Sequence, residues 1–256
     1  ALKKDKTYVI GGFYGGDIKG NVKTFPRGGS DITGAIISTL LNAQIYENYT
    51  DVDGVFDKNP NIFNNATHLP ILNYKTACQM ADAGNEVVHK SALAILKKSN
   101  TVLIVKNTMC KDMFGTVLVD SNFVFKDMYV CVNSCVVVCC DNINNSLLSH
   151  FKKRADIKSI IKDKENYYVI FSDVYSTKEY FKTENTKWVK TLTLFSIFSN
   201  KTFSKKDMVK IKKIKKKLKK CTYFSKFLSF CNNFVVLSDE KQYKKVVCVL
   251  NNHLQK

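Results

Sequence analysis

The chain has 256 residues, of which 45% are apolar, which allows a real hydrophobic core and excludes an intrinsically disordered protein. The longest apolar runs, such as residues 135–140, are far shorter than the ~20 residues of a membrane helix, so no membrane segment is predicted. Nine cysteines, an odd number, do not indicate a secreted disulfide framework. These features predict a cytoplasmic protein of one or two domains.

The formal net charge of +18 is distributed unevenly along the chain. Residues 1–118 carry 13 basic and 10 acidic side chains, whereas residues 119–256 carry 27 basic and 12 acidic side chains. A polar turn near Gly115 falls close to this change in composition. We therefore predict two regions, residues 1–118 and residues 119–256.

Strand-like and helix-like segments alternate in the first region. The predicted strands span residues 7–12, 44–49 and 101–106. The predicted helices span residues 31–41, 73–83 and 90–98. This order predicts an α/β fold with an open, mainly parallel sheet and helices on both faces. In such a sheet, ligands bind beyond the carboxyl ends of the strands.

The second region also mixes strands and helices, but in a less regular order. The predicted strands span residues 129–140, 167–172, 192–198 and 233–237. The predicted helices span residues 146–154, 205–220 and 239–254. These elements predict an α+β region.

The sequence KTFPRGGSDITG, residues 23–34, combines a cation, two glycines and a carboxylate just before a helix. Arg27 can hold a carboxylate through two hydrogen bonds, and Gly28 and Gly29 leave backbone N–H groups accessible to an anion. Asp31 can bind an ammonium group or help to arrange a catalytic lysine. The loop therefore suits a small zwitterion such as an amino acid, although an ordinary glycine turn with a helix cap explains the same residues.

A second polar motif, TDVDGVFD at residues 50–57, follows the predicted strand QIYENY. Its threonine, its aspartates and the aromatic Phe56 can contact the hydroxyls and the base of a nucleotide. The alternative is a polar connection from a strand to a turn, closed by Gly54, with Phe56 in the core.

Five motifs occur in a fixed order between about Val9 and Thr116: FPRGGSD, YTDVDGVF, NP, GNEVVH and VKNT. This set resembles the catalytic domain of the aspartate kinases, which are members of the amino acid kinase family. The resemblance implies that residues 1–118 form the C-terminal part of an amino acid kinase domain. It also implies that residues 119–256 form divergent tandem ACT-like modules of βαββαβ order.

The resemblance further implies a reaction, in which the γ-phosphoryl group of ATP is transferred to the side-chain carboxylate of L-aspartate. ATP and Mg²⁺ are the implied cofactors, and no resident metal site is expected. The implied substrate-binding residues are Phe13, Arg27, Gly28, Gly29, Ser30 and Asp31. Asp31 is also the implied catalytic residue. The implied nucleotide-binding residues are Thr50, Asp51 and Phe56.

Aspartate kinases begin with a glycine-rich turn that carries a catalytic lysine, in the pattern KFGGTS, and this chain contains no such stretch. We therefore expect the chain to be N-terminally incomplete and inactive by itself. The alternative function is a non-catalytic relic that binds an amino acid or dimerises and has a basic surface.

The resemblance implies a homodimer formed through the C-terminal region and an amino acid effector, lysine or threonine. Residues 205–220 contain ten lysines and one apolar stripe, which indicates either a solvated helix face or a surface for an anionic partner. No RNA-binding motif accompanies this helix, so neither a nucleic acid nor a membrane is a predicted partner. Cys131, Cys135 and Cys139 lie among valines, which favours a buried strand over a zinc site.

Overall fold

The computed structural model describes residue 3 and residues 6–25, 27–85, 87–99, 101–110, 112–120, 128–141, 143–146, 148–149, 157–163, 166–171, 186–199, 203–218, 224–228 and 233–254. The chain divides into two compact units. The first unit comprises Ala1–Val55, His68–Asp82 and Glu86–Phe125. The second unit comprises Phe56–Thr67, Ala83–Asn85 and Lys126–Lys256. Two short segments of the expected first region are therefore part of the second unit.

The first unit contains a short antiparallel hairpin and a four-stranded sheet. The hairpin strands are β1 (Tyr14–Gly16) and β2 (Val22–Thr24). The sheet strands are β3 (Ile45–Thr50), β4 (Ile71–Asn73), β5 (Val102–Asn107) and β6 (Thr116–Val119), in the order β3-β5-β6-β4. The β3–β5 and β4–β6 pairs are parallel, and the β5–β6 pair is antiparallel. The expectation of a mainly parallel sheet is confirmed.

Three helices accompany this sheet: α1 (Gly29–Leu40), α2 (Tyr74–Asp82) and α3 (Lys90–Leu96). Ile32 and Ala35 on α1 are buried, and so are Leu93 and Leu96 on α3. The helical spacing within each pair places both side chains on one apolar face of the helix. Tyr74 is also buried, and burial raises the pKa of its hydroxyl to about 12. The three predicted helices are confirmed, whereas their placement on both faces of the sheet stays a prediction.

The predicted strand at residues 7–12 is wrong. Residues 7–12 are not in a strand, and the Val9 side chain is fully exposed. An apolar run forms a buried strand only where a neighbouring strand pairs with it and a second layer covers it. The predicted strands at residues 44–49 and 101–106 are confirmed as β3 and β5, each shifted by one residue.

The second unit is built on one six-stranded antiparallel sheet. Its strands are β7 (Met128–Asp141), β8 (Ile157–Asp163), β9 (Asn166–Phe171), β10 (Thr186–Ser199), β11 (Phe224–Leu228) and β12 (Asn233–Ser238). Their order is β11-β12-β10-β7-β9-β8. In one half of the sheet β7 pairs with β9, and β9 pairs with β8. In the other half β10 pairs with β12, and β12 pairs with β11, which is the same pattern, and β7 pairs with β10. The sheet is therefore an internal repeat whose halves meet at the β7–β10 pair.

Alternate residues of β7 enter two different clusters of buried side chains. Cys135, Val137 and Cys139 lie in one cluster, and Val136 and Val138 lie in another. Because successive side chains of a strand point to opposite faces, both faces of the sheet are covered at this strand. The cysteines are therefore core residues here, which agrees with the buried-strand interpretation.

Two helices, α4 (Lys205–Leu218) and α5 (Glu240–His253), pack on the second sheet. Ile211 and Ile214 of α4 share a core cluster with Val246 and Leu250 of α5. The buried side chain of Phe63, from the segment 56–67, belongs to the same cluster. This shared core explains why that segment is part of the second unit.

The predicted second-region elements are confirmed where the structure describes them, although β10 begins six residues earlier than expected. Residues 147 and 150–154 of the predicted helix 146–154 lie outside the described residues. So do residue 172 of the predicted strand 167–172 and residues 219–220 of the predicted helix 205–220. Among the described residues, no helix is both long and apolar enough to cross a membrane.

Candidate functional site

The carboxyl ends of β3 and β5 lie side by side in the first unit, because the parallel register pairs Thr50 with Asn107. The next residue along the chain, Thr108, donates hydrogen bonds from its backbone N–H and its hydroxyl to the Thr50 carbonyl, at 2.8 and 3.1 Å. The two strands are therefore tied together where they end. In sheets of this kind, this edge is where ligands bind.

Asn107 holds the turn that follows β3. Its Nδ2 donates to Asp53 Oδ1 at 2.6 Å, and its Oδ1 accepts from the backbone N–H of Met109 at 2.8 Å. Gly54 follows with a φ of 123°, a backbone conformation that favours glycine. A Cβ at Gly54 would lie 2.6 Å from Thr116 Oγ1. The TDVDG turn is thus fixed by contacts with β5 and β6 residues.

The RGGSD loop forms the start of α1. Gly28 is the N-terminal cap residue of this helix and has a φ of 61°, in the left-handed region. A Cβ on Gly28 would lie 2.4 Å from His89 Cγ, and a Cβ on Gly29 would lie 2.8 Å from the ring of Phe13. Close packing of these two side chains therefore accounts for both glycines.

Asp31, in the first turn of α1, joins three parts of the first unit. Its Oδ1 accepts a hydrogen bond from Asn48 Nδ2 at 2.9 Å, and its Oδ2 accepts one from the backbone N–H of His89 at 2.9 Å. Asn48 lies in β3, two residues before Thr50, and His89 is the N-terminal cap of α3. The carboxylate therefore fixes α1 relative to the strand that leads into the TDVDG turn.

A buried polar network continues from Asp31 through Asn48 to Tyr46. Asn48 Nδ2 also lies 3.2 Å from the Tyr46 hydroxyl oxygen, and Asn48 is buried. Burial raises the pKa of Tyr46, and the Asp31 carboxylate adds to this effect. The Tyr46 ring also fits against Gly34, where a Cβ would lie 2.4 Å from its hydroxyl oxygen. The network positions α1 against β3.

The other predicted substrate-binding residues surround the same helix start. The side chains of Arg27 and Ser30 are exposed and make no hydrogen bond or ion pair with any described residue. Phe13 has a φ of 74° and a partly exposed ring. Its backbone N–H donates to Thr33 Oγ1 at 3.2 Å, and Thr33 donates to the Gly29 carbonyl at 2.8 Å. The fold thus leaves a guanidinium, a hydroxyl and an aromatic ring beside one helix N-terminus.

Of the three predicted nucleotide-binding residues, Thr50 and Asp51 belong to the first unit and Phe56 to the second. Thr50 Oγ1 donates to Asp51 Oδ1 at 3.2 Å, and the Asp51 side chain is exposed. Phe56 belongs to the second unit and is half-buried, so its predicted nucleotide contact stays a prediction. Thr50 and Asp51 lie at the strand edge that the Asp31–Asn48 hydrogen bond connects to α1.

Two positioning residues were missed as individual side chains by the sequence analysis: Asn48 and Asn107. Asn107 falls within the motif VKNT, so motif order was the available signal for it, whereas His89 lies at a helix start, as its place before the predicted helix 90–98 suggests. Asn48 gives no such signal, because its partner Asp31 lies 17 positions away.

The arrangement offers separate groups for a carboxylate and for a polar, phosphate-bearing molecule. Arg27 and the N-terminus of α1 supply positive charge, which suits an anion. Asp51 supplies an exposed carboxylate at the neighbouring strand edge. No group of three or more metal-ligating side chains occurs in the part of the chain that the structure describes. The positive charge suits a carboxylate, and a divalent cation at Asp51 would need further ligands from a bound molecule.

Comparison with known proteins identifies relatives for this site. Residues 1–107 match the model of the amino acid kinase family. Over 114 residues the chain is 37% identical to aspartokinase 3 of Bacillus subtilis. This match covers 44% of this chain and 25% of that protein. The chain therefore spans about a quarter of that relative's length.

Two solved structures share the fold over 95% of this chain. The aspartate kinase of Clostridium acetobutylicum matches with a TM-score of 0.72, 24% identity and coverage of 62% of that chain. Escherichia coli aspartokinase III, solved in complex with aspartate and ADP, matches with a TM-score of 0.72, 20% identity and coverage of 59% of that chain. Since the likeness includes the second unit, the expected ACT-like fold of that unit is confirmed.

Proposed function

We propose that this chain, whose residues 1–107 match the model of the amino acid kinase family, is part of an aspartate kinase. The proposed reaction transfers the γ-phosphoryl group of ATP to the side-chain carboxylate of L-aspartate, and the product is 4-phospho-L-aspartate. The named relative with 37% identity, an aspartokinase, supports this substrate.

The strongest support for the proposal comes from the Asp31 carboxylate in α1. Its two oxygens accept hydrogen bonds from Asn48 in β3 and from His89 at the start of α3. This contact links the loop that holds Arg27 to the strand that ends at Thr50. A phosphoryl acceptor and a phosphoryl donor must be held close together and in line for transfer. Arg27, proposed to bind the acceptor carboxylate, and the TDVDG turn, proposed to bind the nucleotide, are held near one edge of the sheet, as such a transfer needs.

In this proposal Arg27 binds a carboxylate of L-aspartate through its guanidinium. Ser30, Phe13 and the backbone at Gly28 and Gly29 complete the pocket around the amino acid. Each Asp31 oxygen accepts a hydrogen bond from a protein donor, and we assign Asp31 a positioning role on that basis. This differs from a role in binding the substrate ammonium directly.

The nucleotide is proposed to bind at Thr50 and Asp51. Mg²⁺, when bound with ATP, would neutralise charge on the phosphates. Asn107 holds the turn that contains Asp53 and thereby keeps the nucleotide edge in place.

The second unit is proposed to form a homodimer and to take an amino acid effector, either lysine or threonine. Its ACT-like repeat supports this assignment, as does the bound lysine of a matched Escherichia coli aspartokinase III structure. A cytoplasmic location is part of the same proposal.

Calorimetric titration of the chain with L-aspartate and, separately, with Mg·ADP tests the proposed function. L-Aspartate should bind more tightly than succinate, which has the same two carboxylates and no ammonium group. Mg·ADP should bind with one molecule per chain. Absence of binding by both ligands would refute the proposal for this chain.

A further inference from the structure

Thr116, the first residue of β6, is fully buried although its side chain is polar. The β5–β6 register pairs it with Val105, close to the end of β5 at Asn107, so Thr116 lies near the edge where β3 and β5 end. Gly115, just before it, has a φ of 71°, and a Cβ there would overlap the Val105 carbonyl oxygen. Glycine suits this tight entry into β6, so the backbone itself brings Thr116 to this edge.

The Thr116 hydroxyl is inserted between two backbone segments of the first unit. Val55 and Leu69 lie on either side of the segment 56–67, and the Leu69 N–H donates to the Val55 carbonyl at 2.9 Å. In a regular antiparallel ladder, such a pair also exchanges the reverse hydrogen bond, from Val55 to Leu69. Here the Val55 N–H donates instead to Thr116 Oγ1 at 2.8 Å, and Thr116 Oγ1 donates to the Leu69 carbonyl at 2.8 Å. The side chain therefore replaces one backbone hydrogen bond with a two-step bridge.

This bridge holds one side of the TDVDG turn, and Asn107 holds the other. Asn107 binds Asp53, the residue before Gly54, whereas Thr116 binds Val55, the residue after it. Gly54 itself has no room for a Cβ, which would lie 2.6 Å from Thr116 Oγ1. The turn is therefore fixed on both sides of its glycine, and its path depends on the Thr116 hydroxyl as well as on Asn107.

We propose that Thr116 is a positioning residue for the nucleotide, because its hydroxyl sets the spacing of Val55 and Leu69 and thereby the path of the TDVDG turn. Without the hydroxyl, the Val55 N–H and the Leu69 carbonyl either stay unpaired or move together into a direct hydrogen bond. Both outcomes change the turn, because buried backbone groups without partners are costly. The inference rests on the proposed nucleotide site at Thr50 and Asp51, to which it adds a residue outside the predicted site.

Two variants separate the hydroxyl of Thr116 from the size of its side chain. Thr116→Val keeps the branched shape and removes the hydroxyl, so it breaks the bridge without opening a large cavity. Thr116→Ser keeps the hydroxyl and removes the methyl group, so it keeps the bridge and loses packing. A positioning role through the hydroxyl predicts that the serine variant retains the affinity for Mg·ADP and that the valine variant does not.

Thr76→Val is the matched control for the loss of a buried hydroxyl. Thr76 is buried in the same unit, and its hydroxyl donates to Asn73 Oδ1 at 2.9 Å. Asn73 ends β4, which is parallel to β6, whereas β6 is antiparallel to β5. The carboxyl end of β4 therefore lies at the edge of the sheet opposite to the ends of β3 and β5, so this variant loses a hydrogen bond far from the TDVDG turn.

Calorimetric titration of the full chain measures the Kd for Mg·ADP and for L-aspartate. Thr116→Val should raise the Kd for Mg·ADP about tenfold and leave the Kd for L-aspartate within about twofold, because the lost bridge lies at the nucleotide turn. Thr116→Ser should keep the Kd for Mg·ADP within about threefold of the unmodified chain, and Thr76→Val should leave both constants unchanged. An equal rise after Thr76→Val, or no recovery with serine, would show general destabilisation and overturn the inference.

Hydrogen exchange at the Val55 amide, which reports the bridge directly, needs no variant. In the unmodified chain, saturating Mg·ADP should slow this exchange, whereas saturating L-aspartate should not. Bound Mg·ADP without any slowing would overturn the inference, even if Thr116→Val did not fold. Absence of Mg·ADP binding by the unmodified chain would refute the proposed nucleotide site and this inference together. Equal Mg·ADP affinity of the unmodified chain and Thr116→Val would overturn this inference alone.

Discussion

Asp31 and Asn48, from helix α1 and strand β3, share a hydrogen bond of 2.9 Å between Oδ1 and Nδ2. The other carboxylate oxygen accepts from the backbone N–H of His89. One side chain thereby holds the loop with Arg27 next to the strand that ends in Thr50. This contact is the basis of the proposed two-ligand site.

Asp31→Asn should destabilise the first unit by about 1–3 kcal/mol, because an amide has only one acceptor oxygen for two donors. Its NH₂ group would then face either Asn48 Nδ2 or the His89 N–H. Hydrogen exchange of the backbone amides in α1 and α3 should become faster. The exposed Asp51→Asn change is the control and should alter exchange little, so a comparable effect of both substitutions would contradict the role given to Asp31.

Gly28→Ala should lower the free energy of unfolding by at least about 1–2 kcal/mol, the cost of a left-handed conformation in a residue with a Cβ. Contact of that Cβ with the His89 ring should add to the loss. Gly15→Ala is the control, since nothing lies within 4 Å of a Cβ at that position. Thermal unfolding of the two variants should differ clearly, and equal midpoints would show that His89 does not occupy this space.

Asn107→Ala should weaken the binding of Mg·ADP and leave the binding of L-aspartate nearly unchanged. The substitution removes the 2.6 Å hydrogen bond that holds Asp53, together with the contact to the Met109 N–H. The affinity for each ligand is measured by calorimetry. An unchanged nucleotide affinity would mean that the TDVDG turn keeps its shape without Asn107.

The pKa of His253, near the end of α5, is held below its ordinary value of 6.5 by burial, and the nearby Lys217 and Lys213 add to the effect. Protonation is therefore easier in the unfolded chain, so stability falls as the pH drops through and below 6.5. Lys213→Gln should raise the pKa of His253, measured by NMR titration. Lys206→Gln is the control, and an equal rise in both variants would contradict a local effect.

Periodicity in the sequence is enough to predict the helices and the long strands. Ile32 and Ala35 recur at helical spacing, and the apolar runs of β5 and β7 are buried in the sheets. The strand expected at residues 7–12 fails because local apolarity does not say whether a partner strand is present. The short strands β4 and β6, of three and four residues, were not predicted because they are too short to show a period.

The motifs predicted which loops come together, but not why each residue is there. Gly28 and Gly29 were predicted to leave their backbone N–H groups to a ligand, and the structure adds that His89 and Phe13 pack where a Cβ would lie at these positions. Asp31 contacts residues 17 and 58 positions away, and no local pattern encodes such a contact. Likewise, Phe63 joins the core of the second unit although it lies in the first half of the chain.

The most direct test of the central claim is calorimetric titration of Arg27→Ala with L-aspartate and with Mg·ADP. Loss of a charge-assisted, two-point hydrogen bond should raise the Kd for L-aspartate about 10- to 100-fold and leave the Kd for Mg·ADP within about twofold. The exposed Lys23→Ala variant should bind both ligands as the unmodified chain does. Equal losses for both ligands, or no loss for L-aspartate, would contradict the assignment of Arg27 as the residue that binds the substrate carboxylate.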